Sequence, residues 1–370
     1  MALTVHHYFP RNSSNVGDTL VAHAIQKALG KHLGMIQWVN LPVNERFEAG
    51  VPTGLRDSNL KRTNEEADMV VVGGSNLLEP RKPSKMVQPD KPGWGVATSV
   101  ESLQQLQVPM LLIGMGTGSD WGQPIRQYTP QAKLEVQWLH EKAFACAVRD
   151  MPTQQQLAQI GIEAECTGCP VTFLTDRPVT AHKDAGPLLV SLPPARLLKS
   201  WSGKRFMASA MQYLHWLMKE NVDFIVTLHE RADLDFASQW VPAGIERFYT
   251  EDVDTLIARY EQSRGTIGFR LHAALLSLGL GKPIVPVNVD WRGRAFTHTF
   301  GLQDLALEPN KWGQFQQLKE HTQQLLQNDS RLIDRLAQQK QKFMQQFNSF
   351  LNHATMTYLQ IQRKPTRLAG

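Results

Sequence analysis

Short apolar runs alternate along this chain with segments whose apolar residues recur at helical spacing, and this alternation restricts the fold more than any other feature. Strands that alternate with helices form parallel sheets joined by crossover helices. After the first run the sequence predicts a helix over Thr19–Leu29, because its apolar residues fall roughly on one face. The predicted strands of the first half are Leu3–Tyr8, Met35–Val39, Met69–Val72, Met110–Ile113 and Ala143–Val148.

The alternation stops at Thr175–Gly186, where Asp, Arg, Pro, Lys and Gly cluster, and then restarts. Such a cluster is typical of an interdomain linker, and 370 residues exceed one ordinary core. We therefore predict an α/β chain with one Rossmann-like domain over 1–178 and a second over 179–328. The second should contain strands Leu188–Leu192, Asp223–Leu228, Gly265–Phe269 and Ile284–Val289, and helices Phe206–Glu220, Val253–Glu261 and Leu271–Gly279.

The last part of the chain, 329–370, predicts a long Gln-rich helix that ends near Leu359. Asp329 and Ser330 offer an N-cap, and an apolar stripe follows at helical spacing. The polar face carries charges of both signs. This favours docking of the helix back on the domains over the alternative, a helix lying on a membrane surface.

Composition excludes several classes of protein. No stretch approaches the ~20 apolar residues that cross a bilayer, and Leu3–Tyr8 predicts a first strand and not a signal peptide. The net charge of +5 favours anionic ligands or anionic membrane surfaces. The basic residues are scattered without a recognition motif, so we expect no nucleic-acid partner.

The cysteines predict neither a disulfide framework nor a metal site. Cys166 and Cys169 form a C-x-x-C, but no second pair or His-x-x-x-His accompanies them, as a zinc site would require. Pro170 follows directly, which disfavours a thioredoxin-like redox role. We interpret the pair and Cys146 as small, partly buried residues of a protein in a reducing cytoplasm.

Three loops at predicted strand ends could approach an anion. Asn12–Leu20 contains Asn15, Gly17 and Asp18 before a helix, so it is either an anion-binding loop or an ordinary N-cap. The strand that ends at Val72 is followed by Gly73, Gly74 and Ser75. Paired glycines let the backbone come close to a ligand, although they are also common in tight turns. The glycine-rich Ile113–Ser119 lacks, like the Gly73 loop, the spacing of a dinucleotide fingerprint.

Arginines and histidines also stand at strand ends. Arg149 follows one apolar strand, and Arg270 and His272 stand where another strand meets a near-uniformly apolar helix. An Arg fork suits a carboxylate or phosphate, and a His suits proton transfer. The alternatives are a surface Arg149–Asp150 pair at a helix start and, for His229, a solvated loop. Arg292 and Arg294 add two guanidinium groups beyond the next strand.

In this order, the segments resemble the polysaccharide pyruvyl transferase family. The matching pieces are Asn15-Val16-Gly17-Asp18, Val72-Gly73-Gly74, Val148-Arg149-Asp150, Gly168-Cys169-Pro170-Val171, Arg270-Leu271-His272-Ala273, Gly281-Lys282-Pro283 and the segment from Phe296 to Gly301-Leu302. Many members have a third glycine where this chain has Ser75, and an Asp where it has Cys169.

The resemblance implies a GT-B-like fold of two Rossmann-like domains facing across a cleft. It implies transfer of the enolpyruvyl group of phosphoenolpyruvate to two hydroxyls of a saccharide, with formation of a pyruvate ketal. Such a reaction serves surface polysaccharide synthesis, as in an exopolysaccharide or a capsule. It needs no cofactor and no metal, and a lipid-linked or polymeric acceptor would place the enzyme in the cytoplasm near the inner membrane face.

On this resemblance we expect His272 to be the catalytic acid and Arg270, Arg149 and Leu271 to bind the donor. The candidates for the cleft or the acceptor are Asn15, Asp18, Gly73, Gly74, Ser75, His229, Arg292 and Arg294. Two alternatives stay open: a nucleotide-sugar glycosyltransferase of the same fold, and a non-catalytic member that binds an anion. The sequence also leaves open whether the chain forms a homo-oligomer.

Overall fold

The secondary structure follows the predicted alternation in both halves of the chain. A computed structural model describes residues 2–11, 15–44, 53–78, 95–96, 98–118, 127–181, 186–195, 201–308 and 314–363. Within them the chain divides into two compact units. The first comprises Met1–Ser13, Val21–Pro170 and Gln345–Gly370, and the second comprises Ser14–Leu20 and Val171–Met344.

The first unit is built on a parallel sheet whose strand order is β2-β1-β3-β4-β5-β6 in the described residues. Its central strands are continuous apolar runs with both faces buried, as expected for a parallel sheet covered by helices. The strands are β1 (Leu3–Phe9), β2 (Ile36–Pro42), β3 (Met69–Gly73), β4 (Met110–Met115), β5 (Ala143–Val148) and β6 (Glu165–Cys166). The helices that lead from strand to strand are α1 (Val16–Leu33), α2 (Asp57–Glu66), α3 (Val100–Gln105), α4 (Pro130–Lys142) and α5 (Met151–Ala158).

The second unit has a parallel sheet of order β11-β10-β7-β8-β9. A 3-10 turn at Pro170–Phe173 precedes it. The strands are β7 (Leu188–Ser191), β8 (Phe224–Thr227), β9 (Arg247–Phe248), β10 (Gly265–Gly268) and β11 (Ile284–Pro286). The helices are α6 (Trp201–Lys219), α7 (Ala232–Trp240), α8 (Val253–Glu261), α9 (Leu271–Gly279), α10 (Trp291–Thr299) and α11 (Gln314–Leu326).

The predicted tail helix is present as α12 (Ser330–Arg363). Asp329 caps it, since its Oδ1 accepts hydrogen bonds from the backbone N–H of Arg331 and Leu332 at 2.8 and 3.1 Å. In the second unit Lys340 is buried, and its Nζ donates to the carbonyl oxygens of Arg177 and Gly279 at 2.6 and 3.0 Å. Burial lowers the pKa of Lys340 to about 8.

Two sheet positions matter for ligand binding. In open α/β sheets, ligands bind at the carboxyl ends of strands, where successive connections leave a strand in opposite directions. In the first unit this point lies between β1 and β3, and β3 is followed by Gly74 and Ser75. In the second unit it lies between β7 and β10, and β10 is followed by Phe269 and Arg270. Each unit therefore presents predicted site residues at its switch point.

Candidate functional site

In the first unit, Asn76, Arg149 and Asp150 form the Arg149 cluster. The guanidinium of Arg149 donates to Oδ1 of Asn76 through Nη2 and to Oδ2 of Asp150 at 3.3 Å through Nε. Arg149 and Asp150 are only 7% and 5% exposed, so they do not form a surface pair. Burial leaves the Asp150 carboxylate as the compensating charge for the Arg149 guanidinium.

The Arg149 cluster is fixed by the start of helix α5. Oδ1 of Asp150 accepts from the backbone N–H and the hydroxyl of Thr153 at 2.9 and 2.6 Å, which makes Asp150 the N-cap. Gly116 lies directly beneath the cluster: a Cβ there would stand 2.7 Å from Nε of Arg149 and 2.8 Å from Oδ1 of Asn76. The cluster thus packs on bare backbone at the end of strand β4.

The predicted loop after β3 approaches the neighbouring strand closely. A Cβ at Gly73 would lie 2.6 Å from the carbonyl oxygen of Ile113, so only glycine fits there. Gly74 and Ser75 have φ angles of +80° and +62°. The left-handed conformation of Ser75 is costly for a residue with a Cβ, and it falls where many family members have glycine.

In the second unit, Glu230, Asp233 and Arg270 form the Arg270 cluster. The guanidinium of Arg270 donates to Oε1 of Glu230 at 2.6 Å, to Oδ1 of Asp233 and to the carbonyl oxygen of Leu192 at 3.2 Å. Its backbone N–H donates to Oγ of Ser191 at 3.0 Å, which joins β10 to the end of β7. Arg270 is 5% exposed, and three of the five N–H bonds of its guanidinium are engaged.

The two carboxylates of this cluster have different environments. The side chain of Asp233 is 1% exposed, and its Oδ2 also accepts from the backbone N–H of His229 and Glu230 at 3.1 and 3.0 Å. Burial raises the pKa of Asp233 although Arg270 and these N–H groups oppose the shift. The side chain of Glu230 is 24% exposed and reaches solvent.

His272 stands in the first turn of α9, two residues after Arg270, and is 8% exposed. Its ring lies against the backbone of Gly17, where an added Cβ would be 1.7 Å from Nδ1. The Gly17 turn is shaped by Asn15, whose Oδ1 accepts from the Gly17 N–H at 3.0 Å. The predicted loop Asn15–Asp18 and the predicted acid His272 therefore meet within the second unit.

The same loop also contacts the end of β8. Asn15 forms a β-bridge with Glu230, and the N–H of Val16 donates to the carbonyl oxygen of His229 at 3.3 Å. His229 is buried, and its Nε2 lies 2.9 Å from the hydroxyl of Tyr260. Burial, followed by the charge of Arg270, lowers the pKa of His229 to about 3. His229 is thus neutral at physiological pH and lies in the interior, not in a solvated loop.

Arg292 belongs to the same neighbourhood, whereas Arg294 pairs elsewhere. The Arg292 guanidinium folds back on Asp290, the N-cap of α10, with Nη2 2.6 Å from Oδ2. Burial disfavours the charge on Arg292, but Asp290, Asp18 and Glu230 outweigh it and raise its pKa. Arg294 instead pairs with Glu308 at 3.5 Å.

Leu271 borders a depression of about 330 Å³, open mouth included. Its charged lining residues are Arg270, Arg292 and Asp290, and apolar residues such as Phe269 and Phe296 line it as well. The enclosed part of the depression is only about 10 Å³, room for about one water molecule, so the arginines and not the volume favour an anionic ligand here. The depression belongs wholly to the second unit.

Four cluster members were not among the candidate site residues predicted from sequence: Asn76, Asp150, Glu230 and Asp233. Asn76 directly follows the Gly73 loop, and Glu230 and Asp233 follow His229 within a run of mixed charges. Their place in the sequence was the available signal, because each of these residues follows a strand of the same sheet as the arginine that it contacts. Without the strand order, this signal does not identify a partner.

The described residues contain no group of three or more His, Cys, Asp or Glu side chains that could hold a metal ion. Cys146, Cys166 and Cys169 are all free thiols, and burial raises the pKa of Cys146 and of Cys166 to about 12. Protonated thiols at these positions are poor nucleophiles. No described helix is both long and apolar enough to span a bilayer.

Solved structures with the same overall fold include two that cover nearly the whole chain. The MnaA–UDP co-structure from Staphylococcus aureus is 13% identical over 95% of this chain and 97% of its own, with a TM-score of 0.50. The UDP-GlcNAc 2-epimerase of Neisseria meningitidis, bound to UDP-GlcNAc, is 11% identical over 98% and 99%, with a TM-score of 0.51. These likenesses confirm the GT-B-like fold.

A comparison with curated proteins finds no match. The family model described as polysaccharide pyruvyl transferase matches residues 15–290. This range contains the Arg149 and Arg270 clusters, the Asn15–Asp18 loop and His272. The predicted resemblance is confirmed over well more than half of the sequence, and the chain belongs to the polysaccharide pyruvyl transferase family.

Proposed function

We propose that this protein transfers the enolpyruvyl group of phosphoenolpyruvate to two hydroxyls of a saccharide, forming a pyruvate ketal and releasing phosphate. The observation that carries the proposal is the presence of both Arg270 and His272 at the switch point of the second sheet, in a chain of this family. The product would be a pyruvylated surface polysaccharide or its precursor.

The donor is a trianion with a carboxylate and a phosphate, and it needs cationic partners. Within the described residues, the Arg270 guanidinium has two N–H bonds beyond the three that are engaged, and we assign them to one anionic group of the donor. Arg149 is assigned to donor binding as a second buried guanidinium, and Leu271 to the apolar wall beside Arg270. Both assignments come from the matched motifs.

His272 is assigned as the acid of the first chemical step. Protonation of the methylene carbon of phosphoenolpyruvate creates an oxocarbenium-like centre at the next carbon, which a sugar oxygen can then attack. The Gly17 backbone against the ring holds the imidazole in one position. A fixed acid contributes more to the rate than a mobile one, because the reacting atoms are already aligned.

The proposal is tested by phosphate release from phosphoenolpyruvate with a panel of neutral, amino and acidic saccharides. We expect His272→Asn to fold and to bind phosphoenolpyruvate, but to lose about 10²- to 10⁴-fold in turnover, the usual contribution of a general acid. His215→Asn is the matched control on α6, and it should retain activity. Full turnover by His272→Asn would remove the assigned role.

Ligand-induced thermal shifts distinguish the proposed donor from the nucleotide sugars of the glycosyltransferase alternative. A ligand that binds the folded state raises the unfolding temperature. We expect phosphoenolpyruvate to do so, and uridine- and guanosine-diphosphate sugars to have a smaller effect. Stabilisation by a nucleotide sugar alone, without phosphate release from phosphoenolpyruvate, would favour the alternative.

The proposed setting is the cytoplasmic face of the membrane, with a lipid-linked or polymeric acceptor. The net charge of +5 is the feature that supports attraction to anionic lipids. Co-sedimentation with vesicles that contain anionic lipid, compared with neutral vesicles, measures this association. Equal recovery in both supernatants would restrict the proposal to acceptors free in solution.

A further inference from the structure

The proposed reaction needs a group that accepts a proton from the acceptor. Two sugar O–H bonds break when the ketal forms. One of these protons replaces the proton that His272 gives to the methylene carbon, and the other leaves with the phosphate. A sugar hydroxyl is a weak acid, so attack is faster when a carboxylate or another base takes its proton.

Two carboxylates near Arg270 are unsuited to this role. Asp233 is 1% exposed, and its oxygens are taken by Arg270 and by two backbone N–H groups. Asp290 uses Oδ1 and Oδ2 on the guanidinium of Arg292 and also caps helix α10. Both groups serve to hold the fold of the site.

Glu230 has both a contact with Arg270 and exposure to solvent. Its Oε1 lies 2.6 Å from Nη1 of Arg270, and its side chain is 24% exposed. A carboxylate in this position is next to the arginine assigned to the donor, and an acceptor can approach it from solvent. Charged groups coupled to it are Arg270, Arg292 and Asp233.

Glu230 and His272 also border the same short loop. The backbone of Glu230 bridges to Asn15, and the ring of His272 packs on Gly17. The loop therefore contacts both the backbone at Glu230 and the ring of His272. An acid for the donor and a base for the acceptor must both lie close to the carbon that is attacked.

We propose that Glu230 is the catalytic base that accepts the proton of the attacking sugar hydroxyl, an inference that rests on the proposed function. The hydroxyl oxygen forms a bond to the ketal carbon while its O–H bond breaks and the proton passes to the Glu230 carboxylate. The C–O bond to phosphate then breaks with its electron pair, and the second hydroxyl closes the ketal. The Glu230 proton leaves with the phosphate, while the proton of the second hydroxyl restores His272.

The test is Glu230→Gln, whose amide oxygen can still accept the hydrogen bond from Arg270. We expect kcat to fall at least 10²-fold and the affinity for phosphoenolpyruvate, from thermal shift, to stay within about threefold. The limb of the pH–rate profile that rises from acid pH should disappear in this variant. Glu246→Gln is the matched control, because it removes a carboxylate paired with Arg259 at an exposed position, and it should behave as the wild type.

Different outcomes reject different statements. If Glu230→Gln keeps its kcat and its acid limb but binds phosphoenolpyruvate more weakly, Glu230 only orients Arg270, and the base assignment fails. If the wild type releases no phosphate from phosphoenolpyruvate with any saccharide, the proposed function fails and the base assignment fails with it. If Glu230→Gln is unfolded by circular dichroism, Glu230→Asp is used. If Glu230 is the base, Glu230→Asp should keep part of the wild-type kcat and the limb of the pH–rate profile that rises from acid pH. Loss of that limb in Glu230→Asp would reject the base role.

Discussion

The contact between Gly17 and His272 gives a prediction that links packing to catalysis. In Gly17→Ala, the added Cβ would lie 1.7 Å from Nδ1 of His272, and ordinary contact begins near 3.4 Å. The ring or the loop must therefore move by about 1.7 Å. Overpacking of this kind costs about 1–3 kcal/mol of stability, and a shift of about 1 Å in a catalytic group can cost about 10²-fold in rate.

Gly30→Ala is the control within the same helix. Gly17 and Gly30 both lie in α1, but a Cβ at Gly30 would meet nothing within 4 Å. Alanine is about 0.5–1 kcal/mol better than glycine inside a helix, so this variant should be slightly more stable and fully active. If Gly17→Ala lowers the free energy of unfolding and Gly30→Ala raises it, the loss at Gly17 comes from the clash and not from the helix propensity of alanine.

Urea denaturation and phosphate release measure the two effects, and a double variant assigns them to one contact. In a His272→Ala background the ring is absent, so Gly17→Ala should lose most of its stability cost. The coupling free energy should then be similar to the cost in the wild type. A Gly17→Ala protein with wild-type stability and turnover would refute the packing argument, and a coupling near zero would show that the cost lies elsewhere.

Two further predictions concern the first unit. Ser75→Gly should stabilise the protein by about 0.5–1 kcal/mol in urea denaturation. A left-handed residue with a Cβ costs about 1–2 kcal/mol, and the extra chain entropy of glycine in the unfolded state offsets only part of that gain. A less stable variant would show that Ser75 is not strained. Burial lowers the pKa of His7 to about 3. Between pH 6.5 and 3 the His7 ring is therefore protonated in the unfolded chain but not in the folded one, so the free energy of unfolding should fall as the pH drops through this range. His7→Phe should reduce that slope by up to about 1.4 kcal/mol per pH unit in denaturation curves from pH 7 to 4, and an unchanged slope would contradict the assignment.

Element boundaries were predictable where local signals coincide. Ala143–Val148, Val253–Glu261 and Leu271–Gly279 have the predicted bounds. Asp252 caps the second of these through its bond to the N–H of Thr255. Helix α1 begins three residues earlier than predicted, because the Asn15 side chain turns the chain at Gly17.

The short edge strands Arg247–Phe248 and Glu165–Cys166 were not predicted. Each has two residues and little buried apolar surface, so its hydrophobic pattern is too weak to identify. The strand predicted over Ile284–Val289 ends at Pro286, and an isolated bridge from Val287 to Leu307 follows. These positions depend on neighbouring strands that lie far away in the sequence.

The candidate site was predictable by residue type but not by partner. The Arg270-Leu271-His272 segment could be recognised from its place between a strand and an apolar helix. Its pairing with Glu230 and Asp233 joins residues that lie 40 and 37 positions apart. That pairing follows from the order of strands in the sheet, which local propensity does not encode.

The bonds of Lys340 bear on how short this protein could be made. The family match ends at residue 290, yet this lysine of α12 holds the carbonyl of Gly279 at the last turn of the helix that carries His272. That helix has nine residues and is about 13 Å long. The ring of His272 packs on Gly17 at its first turn, and Lys340 binds the carbonyl oxygen at its last turn. A chain shortened to residue 290 would lose this contact together with the resembling segment from Phe296 to Leu302, so we expect the last turn of α9 to be less firmly held in it.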